Sequence, residues 1–198
     1  MPSRIRAAYE ERLADGRLTP DPSQAPVVEA LARVERDLGR RGLFGRTPEV
    51  RGLYLWGPPG RGKSLLMDLF CACAPEPRKT RAHFHVFMAD VHDRVHRHRQ
   101  ALKAGETKEA DPVPPVARAL AREAWVLCFD EFTVTDIADA MILSRLFTQL
   151  FEEGVVLVAT SNVAPDDLYR DGLNRGLFLP FVDVLKRNAE ILPLDSPT

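Results

Sequence analysis

The octapeptide Gly57-Pro58-Pro59-Gly60-Arg61-Gly62-Lys63-Ser64 gathers three glycines, two prolines and a lysine into a stretch suited to neither helix nor strand. It fits the spacing G-x-x-x-x-G-K-[ST]. Its glycines let successive backbone N–H groups turn inward around an anion. A helix starting beside Gly62 would aim its positive end at the same point. Lys63 has the reach for the β- and γ-phosphates of a nucleotide, and the Ser64 hydroxyl can ligate Mg²⁺. Gly57 to Ser64 are therefore the candidate nucleotide-binding residues.

A second group could turn binding into chemistry. Asp130 and Glu131 close the apolar run Val126-Leu127-Cys128-Phe129. Carboxylates at the end of a buried strand need a partner, and Mg²⁺ is the obvious one. Asp130 is expected to hold the ion through water. Glu131 is expected to orient and polarise an attacking water. A site that only holds nucleotide has no use for a second acid there. Another apolar run, Val155 to Ala159, ends in Thr160, Ser161 and Asn162. The Asn162 amide can hydrogen-bond the attacking water or the γ-phosphate, although such residues also serve as plain turn formers. Arg175 and Arg170 are candidates for an arginine offered to a neighbouring subunit, where it would stabilise charge on the transferring phosphoryl. Arg175, beside Gly176 and away from the P-loop strand, suits an outward-facing finger better. Both also read as surface arginines.

These residues need strands and helices to position them. Helices are expected around Ile5–Leu13 and over 26–39. A strand at 51–56 leads into the glycine-rich turn and a helix at 63–74, which stops before Pro75 and Pro77. Alternation predicts a strand over 81–87, with His83 and His85 on one face. A basic helix follows over 88–105. Its His92 and His96 lie one turn apart but lack the Glu of H-E-x-x-H and a third ligand, so they read as solvated surface. A short helix at 116–123, a strand at 124–131 and a helix from Thr135 or Asp136 to Gly154 come next. A strand at 155–162, short helices over 165–172 and 179–188, and a strand at 189–194 complete the chain. Five strands alternating with helices predict an α/β fold, a parallel sheet covered on both faces. Residues 1–45 read as an N-terminal helical segment leading into a core at 46–198.

Composition sets bounds. The 198 residues carry 27 basic and 28 acidic side chains, net −1, which argues against nucleic-acid binding driven by bulk charge. No apolar run approaches the roughly 18 residues of a membrane span. The N-terminal "MPSRIRAAYEERLADG" has no apolar core of a secretory signal. Cys71, Cys73 and Cys128 are odd in number and lack disulfide-like spacing, which favours a reducing compartment and structural thiols. A cytoplasmic protein is expected, peripheral to the inner membrane only through partners.

The stretches "GLYLWGPPGRGKSLLMDLF", "HFHVFM", "CFDEFTVTDIADAM", "LVATSN" and "LYRDGLNRGLFLPF" together resemble the ZapE, or AFG-one-like, AAA+ ATPase family. The resemblance runs from about Tyr9 to Leu194. It implies a P-loop NTPase AAA+ core with sheet order 5-1-4-3-2, ATP and Mg²⁺ as ligands, hydrolysis of ATP, and a homo-oligomer that is a hexameric ring in the full-length family, with a monomer as the alternative for this short chain. By motif position it makes Lys63 and Ser64 Walker A, Asp130 and Glu131 Walker B, Asn162 sensor 1, and Arg175 the finger. It also implies a protein client: a division-ring component in bacteria, or inner-membrane proteins undergoing turnover in mitochondria. "DPSQ" at 21–24 resembles a family stretch near the base pocket. The family continues into a helical lid carrying a second sensor arginine. This chain ends at "LDSPT", so an ATPase core without the lid is expected. Two alternatives to a remodelling ATPase follow: a nucleotide-gated interaction module with little turnover, and a helicase-loader-like ATPase associated with DNA.

Overall fold

Helices and strands alternate along the described residues, 2–40 and 49–194 of the computed structural model. Helices α1 (Arg4–Ala14) and α2 (Ala25–Gly39) precede β1 (Gly52–Trp56) and α3 (Lys63–Cys73). Then come β2 (Lys79–His83), α4 (Phe84–Lys103), α5 (Val113–Glu123), β3 (Val126–Asp130) and α6 (Ile137–Glu152). The chain closes with β4 (Val156–Ser161), α7 (Arg175–Asn188) and β5 (Ala189–Pro193). Single helical turns lie at Pro22–Gln24 and Pro165–Asp167. The expected boundary at residues 45–46 lies outside the described residues.

All strand pairs are parallel, in the order β2-β3-β4-β1-β5. This is the order 5-1-4-3-2 that the resemblance implied, read from the other edge. Side chains alternate between faces along each strand, and the core divides accordingly. Tyr54, Leu127, Phe129, Leu157 and Ala159 face a cluster shared with α4, α5, α6 and α7. Leu53, Leu55, Val126, Cys128, Val156 and Val158 face the other, shared with α1, α2 and α3. β1, β3 and β4 are apolar on both faces because both faces are covered, whereas the edge strand β2 is largely polar and exposed. The leading helices belong to this packing, since Ile5, Val27, Leu31 and Val34 join the same cluster as Leu66 and Phe70 of α3.

Two expected elements are placed differently. The strand predicted over 81–87 ends at His83, and α4 begins at Phe84. Phe84, Phe87, Met88, Val91 and Val95 are buried at helical spacing, and that period prevails over the short alternation of "HFHVF". His83 and His85 therefore do not share a strand face, although their rings stack at 5.8 Å. The last helix was expected over 179–188, with Pro180 in its first turn. The helix in fact starts at Arg175 and carries Pro180 inside it. Phe178, Phe181, Val182 and Leu185 are buried on one side, so packing outweighs the lost backbone bond. The expected helix over 165–172 is only the turn Pro165–Asp167.

Burial also sets an alkaline limit on stability. The Tyr54 phenol is pushed above the ordinary tyrosine value of 10.0 by burial, as is Tyr9 by burial and the charge of Asp21. Burial likewise raises the Cys73 thiol above 9.0. The unfolded chain releases these protons at the ordinary values while the folded chain keeps them, so stability falls as pH rises. Denaturant midpoints are expected to hold up to about pH 9 and decline above it. A flat profile from pH 8.5 to 11 would contradict this.

Candidate active site

The sheet order sets the carboxyl ends of β1, β4 and β3 in a row, so three separate motifs meet there. Ligands in open α/β sheets bind in this crevice. Backbone bonds tie the ends together: Gly57 N–H donates to Ser161 O (3.1 Å) and Phe132 N–H to Thr160 O (2.8 Å). A cleft of about 420 Å³ opens above them. It is lined by Pro59, Gly60, Gly62, Lys63, Ser64, Leu65, Glu131, Thr160, Ser161 and Asn162.

The glycine-rich turn crosses from β1 to α3, whose first residue is Lys63. Gly62 caps that helix at φ +82°, in the left-handed region that L side chains seldom adopt. A Cβ there would also stand 2.8 Å from the Gln24 amide nitrogen. Lys63 is buried, and its ammonium donates to the carbonyls of Gly57 (2.7 Å) and Pro58 (2.6 Å). Burial lowers its pKa below the usual lysine value. Ser64 is exposed to the cleft.

At the end of β3 the two acids part company. Asp130 is buried, whereas Glu131 is exposed and reaches the cleft. Glu131 has φ +53°, a conformation that costs a non-glycine residue on the order of 1 kcal/mol and persists only where its neighbours impose it. They do so here. Phe132 is fully buried, its ring 4.1 Å from that of Phe84 and 5.9 Å from that of Phe181. Asp130 is fixed on the other side. Thr160 bridges the acids, its hydroxyl donating to Asp130 Oδ1 and accepting from the Glu131 N–H, both at 3.4 Å. The Ser161 hydroxyl donates to Phe132 O (2.6 Å), which anchors the loop after β3 to β4. Asn162, the next residue, is exposed in the cleft.

Arg175 does not line this cleft. Its guanidinium donates to the carbonyls of Tyr169 (3.1 Å), Asp166 (2.6 Å) and Leu168 (3.3 Å). These bonds use Nε and Nη2, so the side chain is folded onto its own loop rather than offered outwards. Arg170 is exposed, 3.7 Å from Asp167. Two contributors were not singled out by sequence. Thr160 was considered only as a turn former. Gln24 lies buried beneath the P-loop, donating to Arg61 O (3.3 Å) and accepting from the Tyr9 hydroxyl (2.9 Å). Its place in "DPSQ" was the only hint.

The AFG1-like ATPase family profile matches residues 4–198. The chain belongs to the AFG1-like ATPase family. Cell division protein ZapE of Escherichia coli K12 is 46% identical over 195 residues, covering 98% of this chain and 48% of that protein. Lactation elevated protein 1 homolog B of Danio rerio is 50% identical over 149 residues, 74% of this chain and 30% of that protein. This AFG1-like chain thus spans less than half the length of either relative. Among solved structures, domain III of the Thermotoga maritima replication initiation protein DnaA superposes with TM-score 0.61 at 17% identity. It covers 91% of this chain and 66% of that one. DnaI superposes with TM-score 0.59 at 11% identity, covering 89% of this chain and 87% of that one. These likenesses establish the P-loop NTPase fold of the AFG1-like core.

Proposed function

We propose that this chain is the catalytic core of an Mg²⁺-dependent ATPase that couples hydrolysis to remodelling of a protein partner. The observation that carries the reading is the single cleft uniting the P-loop, Glu131 and Asn162. Gly57 to Ser64 would enclose the phosphates with backbone N–H groups, and Lys63 would exchange its two carbonyl partners for phosphate oxygens. An all-oxygen set of one hydroxyl and one carboxylate suits magnesium, which keeps several waters and takes the rest from phosphate. Ser64 would ligate the ion and Asp130 would hold its water shell. When bound it would neutralise charge on the phosphates. Glu131, forced toward the cleft by its backbone, would orient and polarise the attacking water, and Asn162 would hydrogen-bond that water or the γ-phosphate. Arg175 would act on the site of a second copy. Its absence from the lining of its own cleft supports this, and the reading requires the guanidinium to leave its loop carbonyls on assembly. The relationship to ZapE favours a client in bacterial cell division.

The test is Mg²⁺-ATPase activity measured over a series of protein concentrations. Specific activity is expected to rise with concentration, as catalysis completed between copies requires. Tight ATP binding with no turnover at any concentration would reject the hydrolytic reading in favour of a nucleotide-gated interaction module.

A further inference from the structure

Asp130 is a buried carboxylate whose nearest cation is supplied by the protein. Arg81 lies on β2, in register with Cys128 of β3. Side chains two apart on a strand share a face. Cys128 packs on the side of α3, so Arg81 and Asp130 also face α3. Arg81 reaches along that face and donates to Asp130 Oδ2 through Nε (3.1 Å) and Nη2 (2.6 Å). Its remaining nitrogen, Nη1, pairs with Asp68 in the second turn of α3. One guanidinium thus joins β3, which carries Asp130, to the helix that begins with Lys63 and Ser64.

We propose that Arg81 is the positioning residue for the Asp130 carboxylate in magnesium binding. The inference rests on the reading of Asp130 as holder of the ion's water shell. Both Arg81 bonds fall on Oδ2, which fixes the carboxylate plane. Among the described residues Oδ1 keeps only the long contact with Thr160 and remains the oxygen for a metal-bound water. The side chains are graded from inside to outside: Asp130 is 11% exposed, Arg81 36% and Asp68 47%. Asp68 therefore serves as an outer counter-charge that keeps the arginine extended over the sheet. The planar, five-donor guanidinium holds the two carboxylates in fixed directions. Lysine keeps the charge but not the fork. Partners standing behind a metal's direct ligands typically alter its affinity 10–100-fold, and Arg81, acting through Asp130 and a water, belongs at the low end of that range.

The test is binding of a fluorescent ADP to the full chain, titrated with MgCl₂ and repeated in EDTA. Arg81→Lys is expected to bind ADP as the parent does in EDTA, and to need about tenfold more Mg²⁺ for half-maximal enhancement. In an Asp130→Asn background, Arg81→Lys should change the Mg²⁺ requirement no further, because the two residues act as one unit. Equal loss of ADP binding with and without Mg²⁺ would make Arg81 merely structural and overturn the proposal. So would an unchanged Mg²⁺ requirement in Arg81→Lys while Asp130→Asn raises it. If Asp130→Asn itself leaves the requirement unchanged, the reading of Asp130 fails and the proposal falls with it.

Discussion

Glu131→Gln is expected to bind ATP as the parent does and to lose hydrolysis by about 10²–10⁴-fold, the usual contribution of a positioned acid or base. The exchange keeps the shape of the side chain and its place in the cleft. It removes only the negative charge and the capacity to draw a proton from water. The backbone is equally safe, because φ +53° at this position is imposed by buried Phe132 on one side and Asp130 on the other. Stability should therefore change little. The measurement is single-turnover hydrolysis beside equilibrium binding of ATP. Undiminished hydrolysis would remove Glu131 from the mechanism, whereas loss of binding would place it among the phosphate contacts.

The second large effect concerns Arg175. Arg175→Ala is expected to lower turnover by about 10³–10⁵-fold, the range in which an arginine supplied in trans operates. A low rate alone proves little, since the same change deletes bonds to the carbonyls of Asp166, Leu168 and Tyr169 and loosens that loop. Mixing separates the two causes. An Arg175→Ala copy retains Glu131, and a Glu131→Gln copy retains Arg175. Where they meet in the right order, one complete site forms from two inactive chains. The mixture should recover a substantial part of the parent rate in the Mg²⁺-ATPase assay. A mixture as inactive as its components would confine Arg175 to holding its own loop. Exposed Leu173 and Leu177 flank this arginine, at 69% and 66%.

Much of the candidate site was legible because its signals are local. The P-loop is written in consecutive residues whose backbone must turn, and Gly62 at φ +82° is the conformation its glycine predicts. The acids of β3 announced themselves by ending an apolar run, as did Thr160 to Asn162 at the end of β4. What could not be read locally was how far each acid is buried. Asp130 and Glu131 are adjacent in sequence, yet one is enclosed and the other faces the cleft. The difference comes from strand alternation combined with the ring of Phe132 beneath the turn. The start of α4 was misjudged for a related reason. Over five residues "HFHVF" satisfies both a strand and a helix period, and only the surface it packs against chooses between them.

By itself, then, the sequence determined the fold class, the family and the candidate residues for binding and cleaving a phosphate anhydride. All of these depend on residue type and on spacing along one segment. Tertiary structure alone decided the Arg81 bridge between Asp130 and Asp68, the Gln24 support beneath Arg61, and the folding of Arg175 onto its own loop. Each joins groups from different segments through parallel register or helix packing. A cross-strand neighbour leaves no periodic trace in the chain that carries it.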